Sequence, residues 1–474
     1  MTARSSVVPE RIHPSYHRQV EIDLVLTPGL GDNSYVLSEG DEAFAIDPQR
    51  DVDRLLAVAQ ARGARIRAVV ETHVHNDYVS GAAELREVTG AEIVGPADAG
   101  YAFAFRGMRE GDELELGGHR LVALASPGHT PEHTSYLLRP SDGGDPVALF
   151  SGGSLIVGSA GRTDLLGADH TDDLTRAQYR TMRRLTTLPD EVRVMPTHGA
   201  GSFCANVSPD GPPTSSIGAE RLGNPALTVV DEELFIAEQL TGLPAYPSYY
   251  AAMPSINRAG PPVLGSVPVP PPRAADEIST AMERGTWLVD AREGEAFARA
   301  HVPGSLSVPL EESFASYVGW LVPFGASLAL LVPDAEALIK ASTQLFRIGY
   351  EHLEGWLDGG IDAWLASGRA VASYPSVPVE ALAKEVRHGV AGAILDVRQT
   401  TEWDEGHLDG SRHVFIGDVP SALGGIGGDD GPTTVICASG YRSSMAASLL
   451  DRAGSPVRYV PGSGVPKLLK LLGR

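Results

Sequence analysis

The sequence predicts a multidomain α/β protein, and three observations carry that prediction. Short apolar runs alternate with helical periodicity over residues 20–200. A Pro- and Gly-rich stretch interrupts the chain near residue 260, and the chain beyond it repeats itself with an offset of 106 residues. At 474 residues the chain exceeds one ordinary domain. The expected organisation is a front domain with a C-terminal extension over 1–259, a linker over 260–273, and two modules of one α/β fold over 274–372 and 376–474.

In the front domain Ile22–Leu26, Ser34–Leu37 and Ala43–Ile46 read as strands and Val52–Arg62 as a helix. Ile66–Glu71 is a further strand that runs into Thr72-His73-Val74-His75-Asn76-Asp77-Tyr78; a helix near Val79–Val88 and a strand near Glu92–Val94 follow. Alternate residues of extended backbone point the same way, so His73 and His75 are expected to converge on one metal. Ser126-Pro127-Gly128-His129-Thr130-Pro131 and Met195-Pro196-Thr197-His198-Gly199 place two more histidines after apolar runs. One such histidine usually does no more than hydrogen-bond in its loop. Three strand-terminal clusters on one frame predict a metal site.

Six prolines between Gly260 and Pro272 make a stiff linker. Beyond it Leu288-Val289-Asp290-Ala291-Arg292 matches Ile394–Arg398, and His301–Ser305 matches His407–Ser411. The uncharged stretch Ser313–Pro333 contains Gly319, Pro323, Gly325 and Pro333, which favour a loop and a buried strand over a membrane span.

In the second copy Val435-Ile436-Cys437-Ala438-Ser439-Gly440-Tyr441-Arg442-Ser443-Ser444 is an apolar strand, a tight loop and a helix over Met445–Leu450. The loop formed by Ala438, Ser439, Gly440, Tyr441 and Ser443 encircles the thiol with N–H groups at a helix N-terminus. Those dipoles and Arg442 stabilise an anion, so the thiol is expected to be partly ionised near neutral pH. A thiolate so held can take a sulfane sulfur as a persulfide and pass it to an acceptor, a double displacement. The alternative is an inert buried cysteine, and the Gly, Arg and Ser that follow argue against it. Counted back by 106, Cys437 falls on Leu331, ahead of Pro333-Asp334-Ala335-Glu336. The first copy has no cysteine and its acidic side chains would repel an anionic sulfur, so it is expected to be non-catalytic.

A net charge of −22 with no basic patch argues against nucleic acid and anionic membrane as partners. Met1–Val20 lacks the apolar core of a signal peptide. The two cysteines, Cys204 and Cys437, exclude a disulfide framework and fit a reducing, cytoplasmic setting. Cys204, between Phe203 and Ala205, reads first as a small buried residue and second as a substrate-handling thiol.

The Cys437-Ala438-Ser439-Gly440-Tyr441-Arg442-Ser443 loop resembles the active-site loop of rhodanese-type sulfurtransferases, over roughly residues 376–474. The resemblance implies Cys437 as sulfur carrier and Arg442 as the anion-stabilising loop residue; a phosphatase of the related fold would use a longer loop. The histidine clusters resemble the metallo-β-lactamase superfamily over roughly residues 18–235. The fold implied is α/β: a metallo-β-lactamase αββα sandwich followed by two rhodanese-like doubly wound α/β domains, with Asp47 supporting the metal ligands.

Gly161-Arg162-Thr163-Asp164 and His198-Gly199-Ala200-Gly201-Ser202-Phe203-Cys204 look like the persulfide dioxygenase branch, whose rhodanese fusions share this domain order. That resemblance implies oxidation of glutathione persulfide by O₂ to sulfite at a mononuclear Fe(II) held by two histidines and an aspartate, the histidines falling on His73 and His129. The aspartate does not carry over. Ser151-Gly152-Gly153 stands where the family has Thr-Gly-Asp, and Tyr78 replaces a histidine that dinuclear hydrolases use for a second metal. Loss of a carboxylate weakens Fe(II) binding; a mononuclear site on His73, His75 and His129 would suit zinc as well as iron, with Asp77, His198 and Asp164 as weaker substitute ligands and a metal-free front half as the remaining alternative. A homodimer is compatible with the resemblance.

Four readings follow. In the first, a glutathione-like persulfide is oxidised at the front site while Cys437 exchanges sulfur, a step of hydrogen sulfide metabolism. In the second, the chain is a thiosulfate- or persulfide-using sulfurtransferase with a degenerate front scaffold. In the third it is a zinc-dependent hydrolase of a glutathione thioester. A sulfide-responsive interaction protein is the fourth, and the intact Cys437 loop disfavours it.

Overall fold

Two-residue alternation along its strands builds the front half in four layers. The computed structural model describes residues 20–204, 211–426 and 431–474. The N-terminal segment read as lacking a leader, and Ala205, lie outside the described residues. β1 (Glu21–Thr27), β2 (Asp32–Glu39), β3 (Glu42–Ile46), β4 (Arg65–Val70), β5 (Glu92–Pro96) and β6 (Arg106–Met108) form one sheet in chain order, antiparallel up to β3 and parallel from there. β7 (Glu113–Leu116), β8 (His119–Ala125), β9 (Thr134–Pro140) and β10 (Ala148–Gly152) are followed by a small hairpin, β11 (Leu155–Ile156) and β12 (Ser159–Ala160). With β13 (Arg193–Pro196) and β14 (Ser215–Ser216) they give a second sheet, in the order β14-β13-β10-β9-β8-β7.

Tyr35, Leu37, Phe44 and Ile46 of the first sheet meet Tyr136, Leu138, Phe150 and Met195 of the second. The intervening Val36, Ala43 and Ala45 face the other way, onto Leu55 and Leu85 of helices Asp53–Ala61 and Ala82–Thr89. Likewise Leu137, Leu149 and Val194 face Met182 and Leu185 of helix Ala168–Leu185. The result is the expected αββα sandwich, with the histidine clusters following β4, β8 and β13.

The repeated half is two parallel sheets of one design. β15 (Pro272–Arg273), β16 (Trp287–Asp290), β17 (Leu306–Ser307), β18 (Leu328–Leu331) and β19 (Leu353–Leu357) are ordered β15-β19-β18-β16-β17. β20 (Ile394–Asp396), β21 (Arg412–His413), β22 (Thr433–Ile436) and β23 (Val457–Tyr459) are ordered β21-β20-β22-β23, and a parallel bridge from Ser376 to Tyr459 takes the edge place of β15. The side chains repeat as well. Arg292 grips Asp290 and the Ala300 carbonyl as Arg398 grips Asp396 and the Gly406 carbonyl.

Two sequence expectations change here. Asp290 pairs with Leu331 and Asp396 with Ile436, so the counterpart of Cys437 is Val332, one residue beyond the Leu331 that a constant offset indicates. Spacing between the copies slips by one ahead of β18. Asp334 then accepts the Ala337 N–H at 2.8 Å, so a carboxylate already caps the helix N-terminus at which an anion would sit. Secondly, Ser313–Pro333 begins not with a loop but with the helix Phe314–Leu321, followed by the wholly buried β18. Among the described residues no helix is long and apolar enough to cross a membrane.

The Pro-rich stretch, largely exposed, is tied down at several points rather than a free spacer. Glu84 accepts the Leu264 and Gly265 N–H groups, Arg50 donates to the Pro262 carbonyl at 2.6 Å, and the stretch ends in β15. One apolar cluster joins Tyr249 and Met253 of the extension, Val318 and Leu321 of the middle module, and Phe415 and Ile416 of the last.

Across the front–middle junction Arg347 makes a two-pronged pair with Asp51, at 2.9 and 2.6 Å. Burial raises the Asp51 carboxyl pKa, but Arg347 and Arg54 outweigh it and hold the pKa below its ordinary value. A carboxyl depressed in the folded state contributes stability above its unfolded pKa and loses it as pH falls through the folded one. Acid titration below the ordinary carboxylate range should therefore loosen this junction, and Asp51→Asn should flatten that limb. Urea midpoints measured against pH check it; an unchanged acid limb in Asp51→Asn would remove Asp51 from the account.

Candidate metal centre and Cys437 loop

The turn after β4 brings His73 and His75 together, their rings 4.3 Å apart, and the loops after β8 and β13 add His129 and His198. All four are buried. Three of them commit Nδ1 to the protein: His73 to Thr72 Oγ1 at 2.8 Å, His129 to the Arg162 carbonyl at 2.8 Å, and His198 to Asp32 at 3.0 Å. Such anchoring fixes the ring and turns Nε2 inward. The Nε2 atoms of His73 and His198 then face each other at 3.3 Å, and Nε2 of His129 has no partner. His75 is held the other way round, with Nε2 on Glu71 at 2.8 Å and Nδ1 unpartnered.

Asp32, Asp47, Glu71 and Asp77 enclose these rings, all buried, and no Arg or Lys pairs with them among the described residues. Buried carboxylates of that number require positive charge at close range. Burial and neighbouring histidines keep the His73 pKa well below normal and bring His129 down to about 3, so both rings are neutral. Burial also opposes charge on His198, but Asp77 and Asp32 outweigh it and lift its pKa to about 9; Asp47 and Glu71 lift His75 in the same way. Unpartnered ring nitrogens, an unpartnered Asp77 Oδ1 and the carboxylate cage together fit a divalent metal ion.

Asp47 lies behind the site. It accepts from Thr72 N and Oγ1, both at 2.7 Å, and from Thr197 Oγ1. Among the described residues it is the only non-glycine in the left-handed region, at φ 46°. Such strain is kept where surrounding bonds over-determine it.

The predicted ligands group differently from the expected triad. Donor atoms of His73, His75 and His198 lie within 4.8 Å of one another, and so do those of His129, His198 and Cys204. His198, a weaker candidate by sequence, is thus common to both groups. Asp77 is at the site, its Oδ2 at 3.2 Å from His198 Nδ1. Asp164 is not: it is engaged by Arg162 through two 2.7 Å hydrogen bonds and touches the site only through the Arg162 carbonyl that holds His129. Tyr78 stacks on His75 at 4.4 Å and donates to the Asp47 carbonyl at 3.2 Å.

Sequence reasoning passed over Asp32, Glu71 and His133. His133 stacks on His73 at 5.0 Å, and its Nε2 accepts the Gly153 N–H at 2.9 Å. Its place four residues after His129 was the available signal.

Gly153 explains why no carboxylate comes from β10. A Cβ there would lie 2.7 Å from Cγ and 2.8 Å from Nε2 of His129, so that ring already occupies the space. Restoring the family aspartate by Gly153→Asp should therefore lower stability by about 1–3 kcal/mol through overpacking rather than rebuild a ligand. Thermal unfolding alongside metal stoichiometry checks this; a stable variant with tighter metal binding would show that His129 yields.

At the second site Cys437 directly follows the strand β22, and the Gly440 N–H points at its sulfur at 3.1 Å. Gly440 lies at φ 94°, and a Cβ there would meet the Pro461 carbonyl carbon at 3.0 Å, so only glycine closes this loop. The helix begins at Tyr441, earlier than expected, and Ser443 Oγ donates to the Gly440 carbonyl at 2.9 Å. Arg442 is not free over the loop but paired with Glu402, Nη2 to Oε1 at 2.9 Å. The middle module supplies a wall: Tyr317 packs edge-on against Tyr441 at 5.3 Å, and Tyr441 Oη donates to the Pro309 carbonyl at 3.1 Å. A cavity of about 420 Å³ opens beside Ser439–Tyr441, rimmed by Glu293, Glu295 and Glu311 of that module.

Residues 27–198 match the metallo-beta-lactamase superfamily, and residues 274–367 and 379–464 each match the rhodanese-like domain. A hydroxyacylglutathione hydrolase-like protein of Mus musculus is 35% identical over 175 residues, 36% of this chain and 59% of that protein. A hydroxyacylglutathione hydrolase of Synechococcus sp. (strain CC9902) is 32% identical over 180 residues, 36% of this chain and 68% of that protein. The chain spans 51–60% of the length of the first three curated relatives it matches. A solved metallo-beta-lactamase from Staphylococcus aureus subsp. aureus COL aligns over 71% of this chain and 98% of its own, with TM-score 0.64 and 28% identity. By its folds, its motifs and these relatives, the chain belongs to the metallo-β-lactamase superfamily, as a fusion of that domain with two rhodanese-like domains.

Proposed function

We propose that this chain is a sulfur-metabolism enzyme in which Cys437 carries a sulfane sulfur as a persulfide and the front half acts on a low-molecular-weight thiol persulfide, of the glutathione type, at a mononuclear metal centre. The Gly440 N–H aimed at Cys437 Sγ carries the reading, because a backbone donor there stabilises the anionic sulfur that attacks the donor and that leaves again when the acceptor takes the transferred sulfur. Cys437 attacks the outer sulfur of a persulfide or thiosulfate donor, the donor's remainder leaves with the bonding pair, and an acceptor thiolate then takes the sulfur and frees Cys437. The Glu402–Arg442 pair holds the guanidinium beside the loop and keeps it there between transfers.

In the front half, His73, His75, His129 and His198 would hold the metal, which when bound would activate O₂ and persulfide for oxidation to sulfite. Asp47 and Glu71 orient the His75 ring and Asp32 the His198 ring, and burial keeps bulk water from them. Tyr78 at the place of a second metal's ligand favours a mononuclear centre over the dinuclear chemistry of a thioester hydrolase, the reading that the named relatives suggest.

The test assays three reactions on iron-loaded full-length protein: sulfur transfer from thiosulfate or glutathione persulfide to a thiol, persulfide-dependent oxygen uptake, and cleavage of a glutathione thioester. Transfer and oxygen uptake without thioester cleavage support the reading. Transfer without oxygen uptake reduces the front half to a scaffold, and thioester cleavage alone overturns the reading.

A further inference from the structure

We propose that Cys204 is a metal ligand of the front half, its thiolate replacing the carboxylate that Gly153 does not provide. The proposal deepens the metal-centre reading above and names a ligand that motif and spacing do not indicate. Cys204 is buried, and its sulfur lies in one group with donor atoms of His129 and His198, all within 4.8 Å of one another.

Two independent features point to a bound cation at that place. His129 is fully buried, with Nδ1 committed to the Arg162 carbonyl and Nε2 left without a partner. Asp77, equally buried, accepts the Cys204 S–H through Oδ2 at 3.5 Å while its Oδ1 has no partner. The backbone holds the thiol in position: the Arg162 N–H donates to the Cys204 carbonyl at 3.0 Å, and Ser202 Oγ accepts the Cys204 N–H at 3.1 Å. Arg162 therefore anchors both His129 and Cys204 from one residue, through its carbonyl and its N–H.

Thiolate is an anionic donor, so it restores the negative charge that a family aspartate would bring, and it suits first-row divalent cations. On binding, the S–H bond is replaced by a sulfur–metal bond, and one proton is released to solvent for each Cys204 engaged; no oxidation state changes. His133, which holds the Gly153 backbone, takes no part.

The test uses cobalt(II) as the probe, in oxygen-free full-length protein carrying Cys437→Ser. The chain has only two cysteines, so any thiolate-to-cobalt charge-transfer band in that background belongs to Cys204. The expected result is a near-ultraviolet charge-transfer band that saturates with one cobalt per chain. Adding Cys204→Ser should abolish the band and weaken cobalt binding by about a hundredfold. X-ray absorption of the zinc-loaded Cys437→Ser protein, which needs no change at Cys204, should show a sulfur neighbour.

Cobalt or zinc bound with no sulfur signature overturns the proposal, as does a band that survives Cys204→Ser or a protein that binds neither metal. Sulfur transfer by the wild-type chain in the presence of chelator is read separately. A failed ligand assignment is thereby distinguished from failure of the sulfurtransferase reading.

Discussion

Cys437→Ser should abolish sulfur transfer, lowering turnover by about a thousandfold or more, because a hydroxyl in place of the nucleophilic sulfur cannot form the covalent intermediate. The side chains are nearly isosteric and the site is closed by backbone, so the fold should be unaffected. The Gly440 N–H would then point at a hydroxyl, and Ser443 would still brace the loop. Peptide mass spectrometry after donor treatment supplies the direct readout: one added sulfur atom on the wild-type Cys437 peptide and none on the variant. Transfer that persists in Cys437→Ser, or a sulfur atom found on Cys204 instead, would move the carrier away from this loop. Arg442→Ala should have a smaller effect, since Arg442 acts from its pair with Glu402 and the loop N–H groups remain. A chelator should leave transfer intact, as no metal-binding group touches Cys437 among the described residues.

Arg50→Ala should be the most damaging substitution for stability outside the two sites. Arg50 is fully buried at the meeting point of the front half, the Pro-rich stretch and the middle module. It pairs with Glu351, lies 3.5 Å from Glu84, donates to the Pro262 carbonyl at 2.6 Å and stacks over Phe346 at 4.4 Å. Removing one partner of a buried pair leaves the other charge uncompensated, which costs about 3–5 kcal/mol. Arg50→Lys should recover only part of that loss, because an ammonium cannot serve three acceptors in a plane while stacking on a ring. Urea unfolding followed by tryptophan fluorescence is the measurement, with the first transition read by itself, since a three-domain chain need not unfold in one step. A change below about 1 kcal/mol in Arg50→Ala would mean that the junction is held by its apolar cluster alone.

What could be read from sequence was local or periodic. Strand alternation is a two-residue property, so the layers of the front half were legible from residues such as Tyr35, Val36 and Leu37, which face alternate sides of β2. The repeat was legible because each copy builds the same short Asp–Arg grip within about ten residues of chain. The Cys437 loop is a contiguous segment whose backbone donates to its own sulfur, so the loop itself was legible, whereas the Glu402 that holds Arg442 and the middle-module wall of Tyr317 and Pro309 were not.

Tertiary structure decided whatever depends on contact between distant segments. His198 reaches His73 across 125 residues, and Cys204 reaches Asp77 across 127; spacing in sequence does not encode such meetings. Asp164, near the site along the chain, is drawn off by Arg162, while Glu71 and Asp32 enter it through the side-chain rotations that packing imposes. One residue of slippage before β18 moved the counterpart of Cys437 from Leu331 to Val332, which only strand pairing reveals. The domain families were written in contiguous motifs. Which side chains complete the metal centre, and how the Pro-rich stretch is bound down, followed from how the buried polar groups satisfy one another once the domains are packed together.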